Sequence, residues 1–214
     1  MHPNIFICGD SGSGKSSSLR NLDPETTVII NTENKALPFR GAANFKKAVT
    51  TSSYDSFLNQ FKRALASNNR VIVIDSFTSL QEQILEQCKR TKKGYDVWSE
   101  YASMIYDVLQ LSKQSNKYIV FLGIGESMQD EGGYIKRSVK VEGRAMRGAI
   151  EKEFTLCLWT HIDMMQPRNE RFMFMTTTDG KNTAKTPMEM FESDYIPNDL
   201  NAVLNACDEY YGFS

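Results

Sequence analysis

Gly9-Asp10-Ser11-Gly12-Ser13-Gly14-Lys15-Ser16 brings together residue types that can manage a polyphosphate. Gly9, Gly12 and Gly14 allow backbone N–H groups to turn inward toward oxyanions where side chains would intrude. Asp10, Ser11 and Ser13 fill the turns between them. Lys15 is spaced to reach the β- and γ-phosphates, and the Ser16 hydroxyl is placed to meet a magnesium ion, with Ser17 continuing into the next element. A helix starting at this point would add its positive N-terminal end under the phosphates. The apolar run at 5–8 reads as a strand, so the order is strand, G-x-x-x-x-G-K-S, helix: a P-loop, which expects ATP with Mg²⁺. A chance Gly/Ser turn would not need the strand in front of it.

Two acids at the ends of apolar runs extend the chemistry. Residues 70–76 form a run ending in Asp75, the pattern of a buried parallel strand whose terminal carboxylate holds Mg²⁺ through a water (the Walker B acid). Residues 26–32 are rich in β-branched types and end beside Glu33. Ligands of such sheets sit beyond the carboxyl ends of the strands, so Glu33 can orient and polarise an attacking water. A solvated Glu at a strand end is the alternative. Lys15, Glu33 and Asp75 are therefore the candidate catalytic set, and Ser16 and Asp75 the candidate metal set.

These residues need a scaffold, and the chain can supply one. With 214 residues, 41% of them hydrophobic, it can bury one substantial core, and length favours a single domain over 1–214, with a core over 4–190 and a helical tail over 195–214. Lys and Arg number 25 against 26 Asp and Glu, so any nucleic-acid surface must come from local clustering. The four cysteines are far apart and the two histidines lack zinc spacing, which argues against metal or disulfide frameworks and for reduced thiols in a cytoplasm. No run approaches the ~18 apolar residues of a membrane span, and the N-terminus lacks a signal pattern. The nucleotide loop begins so early that no N-terminal arm is expected before it.

In order, the spacing predicts a short helix at 17–22 stopped by Asp23-Pro24, a short strand at 47–50, and an amphipathic helix at 54–67 with Phe57, Leu58, Phe61 and Leu65 on its core face. A helix at 80–88 follows the Asp75 strand, and another at 97–112 leads to a strand at 117–123. Residues 125–148 are polar and Gly-rich and read as a mobile loop. Strands at 151–161 and 171–177, joined by a turn at 166–170, read as a hairpin, and a closing helix at 199–210 is capped by Asn198 or Asp199.

Ser76 follows Asp75 where an AAA-type motor would place Glu, and the candidate catalytic carboxylate instead ends the strand after the P-loop helix. With "LSKQSNKYIVFLGI", "TENKALPFRGA", "AKTPMEMF" and "IPNDL", the chain resembles over roughly 4–200 the small phage RecA-like P-loop ATPases, proposed single-strand annealing or recombination proteins. The resemblance implies an α/β RecA-type core: a mostly parallel central sheet flanked by helices, with a C-terminal antiparallel hairpin. It implies DNA-stimulated ATP hydrolysis in recombination, annealing or replication, with single-stranded DNA, a homo-oligomeric filament or ring, and a single-strand-binding protein as partners. Glu33 becomes the catalytic carboxylate, and two DNA-packing loops match 89–95 and 127–147. Their candidates are Lys89, Arg90, Lys92, Lys93, Lys136, Arg137, Lys140, Arg144 and Arg147, with Tyr95 or Tyr134 to stack on a base. Lys181 and Lys185 match the region from which RecA passes lysines into a neighbour's site. No amide at 123–127 matches the γ-phosphate sensor of that family. A nucleotide-binding adaptor, loader or packaging partner without DNA contact, or a small-molecule kinase using the arginines of 136–147 as a lid, are the alternatives.

Overall fold

The computed structural model describes residues 1–129, 132–143 and 146–213. Its strands are β1 (Ile5–Cys8), β2 (Thr27–Asn31), β3 (Val49–Thr50), β4 (Val71–Asp75), β5 (Tyr118–Gly123), β6 (Gly125–Gln129), β7 (Ile135–Val139), β8 (Leu156–Ile162), β9 (Phe172–Met175) and β10 (Tyr195–Pro197). The α-helices are α1 (Tyr54–Ala66), α2 (Phe77–Thr91), α3 (Asp96–Lys113) and α4 (Leu200–Tyr211). The main sheet runs β10-β9-β8-β1-β5-β4-β2-β3, parallel from β8 to β3 and antiparallel at β8-β9-β10. The expected parallel sheet with its C-terminal hairpin is thus what the chain forms.

Helices cover both faces, which is why the central strands read as continuous apolar runs instead of alternating ones. Phe6, Cys8, Ile72, Ile74, Ile119 and Phe121 face α1, α2 and α3, while Ile5, Ile7, Val71, Val73, Val120 and Leu122 face α4 and Leu19. Each fully buried Ile, Leu or Phe contributes about 1.5–3 kcal/mol of transfer free energy. Gly123 leaves room for the Phe6 ring, whose nearest carbon would lie 2.5 Å from an added Cβ. Ser53 caps α1, its hydroxyl accepting from Ser56 N, and Asp199, not Asn198, caps α4 by accepting from Asn201 N and Ala202 N.

Several local expectations need correcting. The segment behind the P-loop is a 3-10 helix, Ser16–Asn21, ended by Leu22 in extended conformation before Asp23-Pro24. Six residues of 3-10 helix carry little of the macrodipole expected of a long α-helix, so the positive character of the loop rests on Lys15 and backbone N–H groups. Glu151–Glu153 is a 3-10 turn, and the strand begins only at Leu156, where pairing with β1 starts. Residues 125–148 are not simply a loop: β6 and β7 pair in register from Gly125↔Val139 to Gln129↔Ile135. The ribbon escapes periodicity analysis because most of its residues stay at least partly exposed, leaving no polar-apolar alternation to read. Likewise α2 runs on to Thr91, so Lys89 and Arg90 lie on its last turn and only 92–95 connect to α3.

The sheet register positions the site. Asn31 pairs with Asp75, Asp75 with Leu122 and Cys8 with Gly123, so β1, β2, β4 and β5 end nearly level and their loops meet at one rim. No helix among the described residues is long and apolar enough to cross a membrane.

Candidate functional site

The loop after β1 is tied together from beneath. Thr160, on neighbouring β8, donates through Oγ1 to Ser13 Oγ at 2.6 Å, and Ser13 Oγ donates to the Asp10 carbonyl at 2.6 Å. A Cβ at Gly9 would lie 1.7 Å from Thr160 Oγ1, so only glycine lets the loop settle on β8. Gly14 has φ +97°, the left-handed region that L side chains avoid. Gly9→Ala should therefore destabilise the fold by about 1–3 kcal/mol, as overpacking of a tight contact does. Urea unfolding checks this, and an unchanged midpoint would mean the loop does not need the Thr160 contact.

Lys15 Nζ donates to the carbonyls of Gly9 at 2.9 Å and Asp10 at 2.8 Å, which folds the ammonium over the loop. Burial lowers its pKa, opposed by the acidic groups around it, including Asp75, Glu33 and Asp10. Asp75 is 9% exposed; burial raises its pKa, while the Ser16 hydroxyl bonded to its carboxylate lowers it and the Glu33 charge raises it further. A buried carboxylate beside a serine hydroxyl is a hard oxygen donor set, and Mg²⁺ bound by one carboxylate, waters and substrate phosphates needs no more from the protein. The residues present fit the ion.

Glu33 is delivered by a tight turn. Asn31 accepts from Glu33 N through Oδ1 at 3.1 Å and donates through Nδ2 to the Lys35 carbonyl at 2.6 Å, with Asn34 at φ 54° between them. Ser76 Oγ donates to Glu33 Oε1 at 2.7 Å, and Lys35 Nζ donates to Oε2 at 3.0 Å. Burial raises the Glu33 pKa, but those two donors outweigh it and hold the group below its ordinary value. Ser76 also caps α2, accepting from Ser79 N at 3.4 Å. Thr32 N donates to the Asp75 carbonyl and Thr32 Oγ1 to the Ser76 carbonyl, locking the ends of β2 and β4 together.

Together these residues line a cleft of about 320 Å³: Ser11, Gly12, Gly14, Lys15, Ser16 and Ser17 on the loop side, Glu33, Lys35 and Pro38 opposite, Asp75 and Ile124 between. A second cleft of about 300 Å³ shares Gly12, Gly14, Ser17 and Pro38 and continues to Arg20, Arg168, Asn169 and Phe172. Ser76 and Lys35 were not legible as site residues, since their role depends on a carboxylate brought from another strand. Ile124, in the stretch where no sensor amide could be assigned, reaches the cleft as an apolar side chain.

The other candidates scatter. Lys185 lies beside β8, pairing with Cys157 through its backbone, and Lys181 lies beside β7, its carbonyl accepting from Arg137 N; neither is among the residues lining either cleft of its own chain. Of the proposed DNA contacts, Arg90 pairs with Glu86, Lys92 with Glu100 at 4.0 Å, Lys140 with Glu142 at 4.0 Å and Arg147 with Glu126 at 3.7 Å. Arg137 pairs with Asp10 of the P-loop at 2.7 Å. Among the described residues Lys89, Lys93 and Lys136 have no ion-pair partner, and Arg144 lies outside the described residues. Tyr134 is exposed near the turn of the ribbon. The two basic segments do converge: Gly143 sits against the Trp98 ring, and Tyr95, Trp98, Tyr101 and Met146 line an apolar groove of about 730 Å³.

A family model described as an AAA domain matches residues 1–188 of the chain. No curated protein matches it.

Proposed function

We propose that this chain, which belongs to the AAA domain family and carries that family's P-loop ATPase-like domain, is a RecA-like ATPase that hydrolyses ATP with Mg²⁺ and acts on single-stranded DNA. The observation that carries the hydrolytic half is the convergence of Lys15, Ser16, Asp75 and Glu33 on one cleft. Lys15 and the loop N–H groups neutralise and orient the phosphates. When bound at Asp75 and Ser16, Mg²⁺ would neutralise charge developing on the phosphate oxygens. Glu33, ionised at neutral pH, accepts a hydrogen bond from the attacking water and takes its proton. Ser76 and Lys35 aim that carboxylate. Glu33 after β2, with Ser76 after Asp75, is the arrangement that favours a RecA-like member, and with it a role in phage recombination, annealing or replication, a homo-oligomer and a cytoplasmic setting.

The strand-binding half rests on the aromatic groove. Tyr95 is 79% and Trp98 41% exposed, at the place where both basic segments meet, and aromatic faces accept bases of any sequence. Tyr95→Ala should weaken oligo-dT binding by about 1–3 kcal/mol, the usual stacking contribution. Replacing Lys89, Lys93 and Lys136 with Ala should flatten the salt dependence by about 2 in log K against log[salt], at roughly 0.7 per phosphate. Fluorescence anisotropy at two salt concentrations measures both. The pairing of Arg90, Lys92, Lys140 and Arg147 with acids favours the second reading, a nucleotide-dependent adaptor that meets a protein through this groove. No strand binding at low salt, with or without ATP, would leave the adaptor standing.

A further inference from the structure

We propose that Arg137 is a positioning residue of the phosphate loop, acting through Asp10, and that it couples the β6–β7 ribbon to the bound nucleotide. The proposal rests on the reading of the P-loop as an ATP site. Arg137 belongs by sequence to a basic segment that would meet an external polyanion, yet its guanidinium turns back into the protein. Nη2 lies 2.7 Å from Asp10 Oδ1, and the guanidinium carbon sits 4.9 Å from the centre of the Trp159 ring. Trp159 is 1% exposed and fixed: its indole N–H donates to Thr183 Oγ1 at 3.2 Å, and its ring packs so closely on Gly125 that an added Cβ there would lie 2.5 Å from it. The ribbon is rooted around that ring. Lys140 N donates to the Ile124 carbonyl, Val139 N to Glu151 Oε1 and Arg137 N to the Lys181 carbonyl.

Asp10 is where this root meets the nucleotide site. Its carboxylate receives Arg137 while its carbonyl accepts from Lys15 Nζ at 2.8 Å and from Ser13 Oγ at 2.6 Å. For Lys15 to serve a triphosphate, its ammonium must leave the carbonyls of Gly9 and Asp10, and several negative charges then arrive beside the Asp10 carboxylate. Arg137 is the cation paired with that carboxylate. A planar guanidinium with five donors can follow the carboxylate or turn an edge to a phosphate oxygen, and either move changes its stacking on Trp159. Both side chains of the pair are partly exposed, so the pair does little for stability, and its value lies in orientation. Because Arg137 lies on β7, the displacement is passed to a ribbon that bears Ile124 of the cleft at its base and exposed Tyr134 and Ile135 at its far end.

Trp159 reports the event directly. The chain has two tryptophans, so Trp98→Phe leaves Trp159 as the sole indole. Titrating this protein with Mg²⁺ and ATP should change the Trp159 emission, saturating at the concentration at which calorimetry finds ATP bound. Arg137→Lys keeps a positive charge but not the planar fork, and should lose that emission change. Asp10→Asn removes the carboxylate that holds the guanidinium, so its emission without nucleotide should differ from that of the parent without nucleotide, and an identical emission would overturn the coupling. An emission change undiminished in Arg137→Lys, or heat of ATP binding in the parent without any emission change, would overturn the coupling alone. Absence of ATP-binding heat in the parent would overturn the nucleotide reading itself and the coupling with it.

Discussion

Lys15→Ala should bind ATP roughly 30- to 4,000-fold more weakly than the parent, since removing one partner of a close charge pair costs about 2–5 kcal/mol. No other side chain of the loop carries positive charge, and the nearest further cation lining the cleft, Lys35, is engaged with Glu33. The same substitution removes two hydrogen bonds to the Gly9 and Asp10 carbonyls, so unfolding must be measured beside calorimetry to separate lost charge from a relaxed loop. Unchanged ATP affinity in a folded Lys15→Ala protein would show that nucleotide does not bind at this loop.

Glu33→Gln should keep ATP binding and lose hydrolysis by roughly 10²–10⁴-fold, the contribution of a positioned general base. The amide can still accept from the Ser76 hydroxyl, so the turn at 31–35 should survive while the proton acceptor does not. The pH profile gives an independent check. Ser76 and Lys35 hold the Glu33 pKa below its ordinary value, so the carboxylate is already ionised well below neutral pH. Removing either donor raises that pKa, and the acid limb of kcat/KM should move to higher pH in Ser76→Ala and Lys35→Ala. Parental turnover in Glu33→Gln would transfer the role to another acid. Glu126 would be a poor replacement, because it lies on β6, 3.7 Å from Arg147, and is not among the residues lining the cleft.

The parts legible from the order of residues alone are those whose geometry is contained within a few positions. The P-loop is legible because glycines, lysine and serine at fixed spacing must build their own turn, and the strands ending at Cys8 and Asp75 are legible because burial on two faces demands unbroken apolar runs. Helix α1 shows its core face as a 3- and 4-residue spacing for the same local reason. What those parts touch depends on the folded chain. The Ser76 bond to Glu33 joins residues 43 apart, the Thr160 support of Ser13 spans 147 positions and the Arg137 pair with Asp10 spans 127. Such contacts leave no period in the chain, because they depend on which strand ends lie side by side once β5 is inserted between β1 and β4. Arg137 makes the difference plain. Its neighbours in sequence mark it as one of a basic cluster, while its neighbours in space, a buried indole face and a loop carboxylate, give it a different partner.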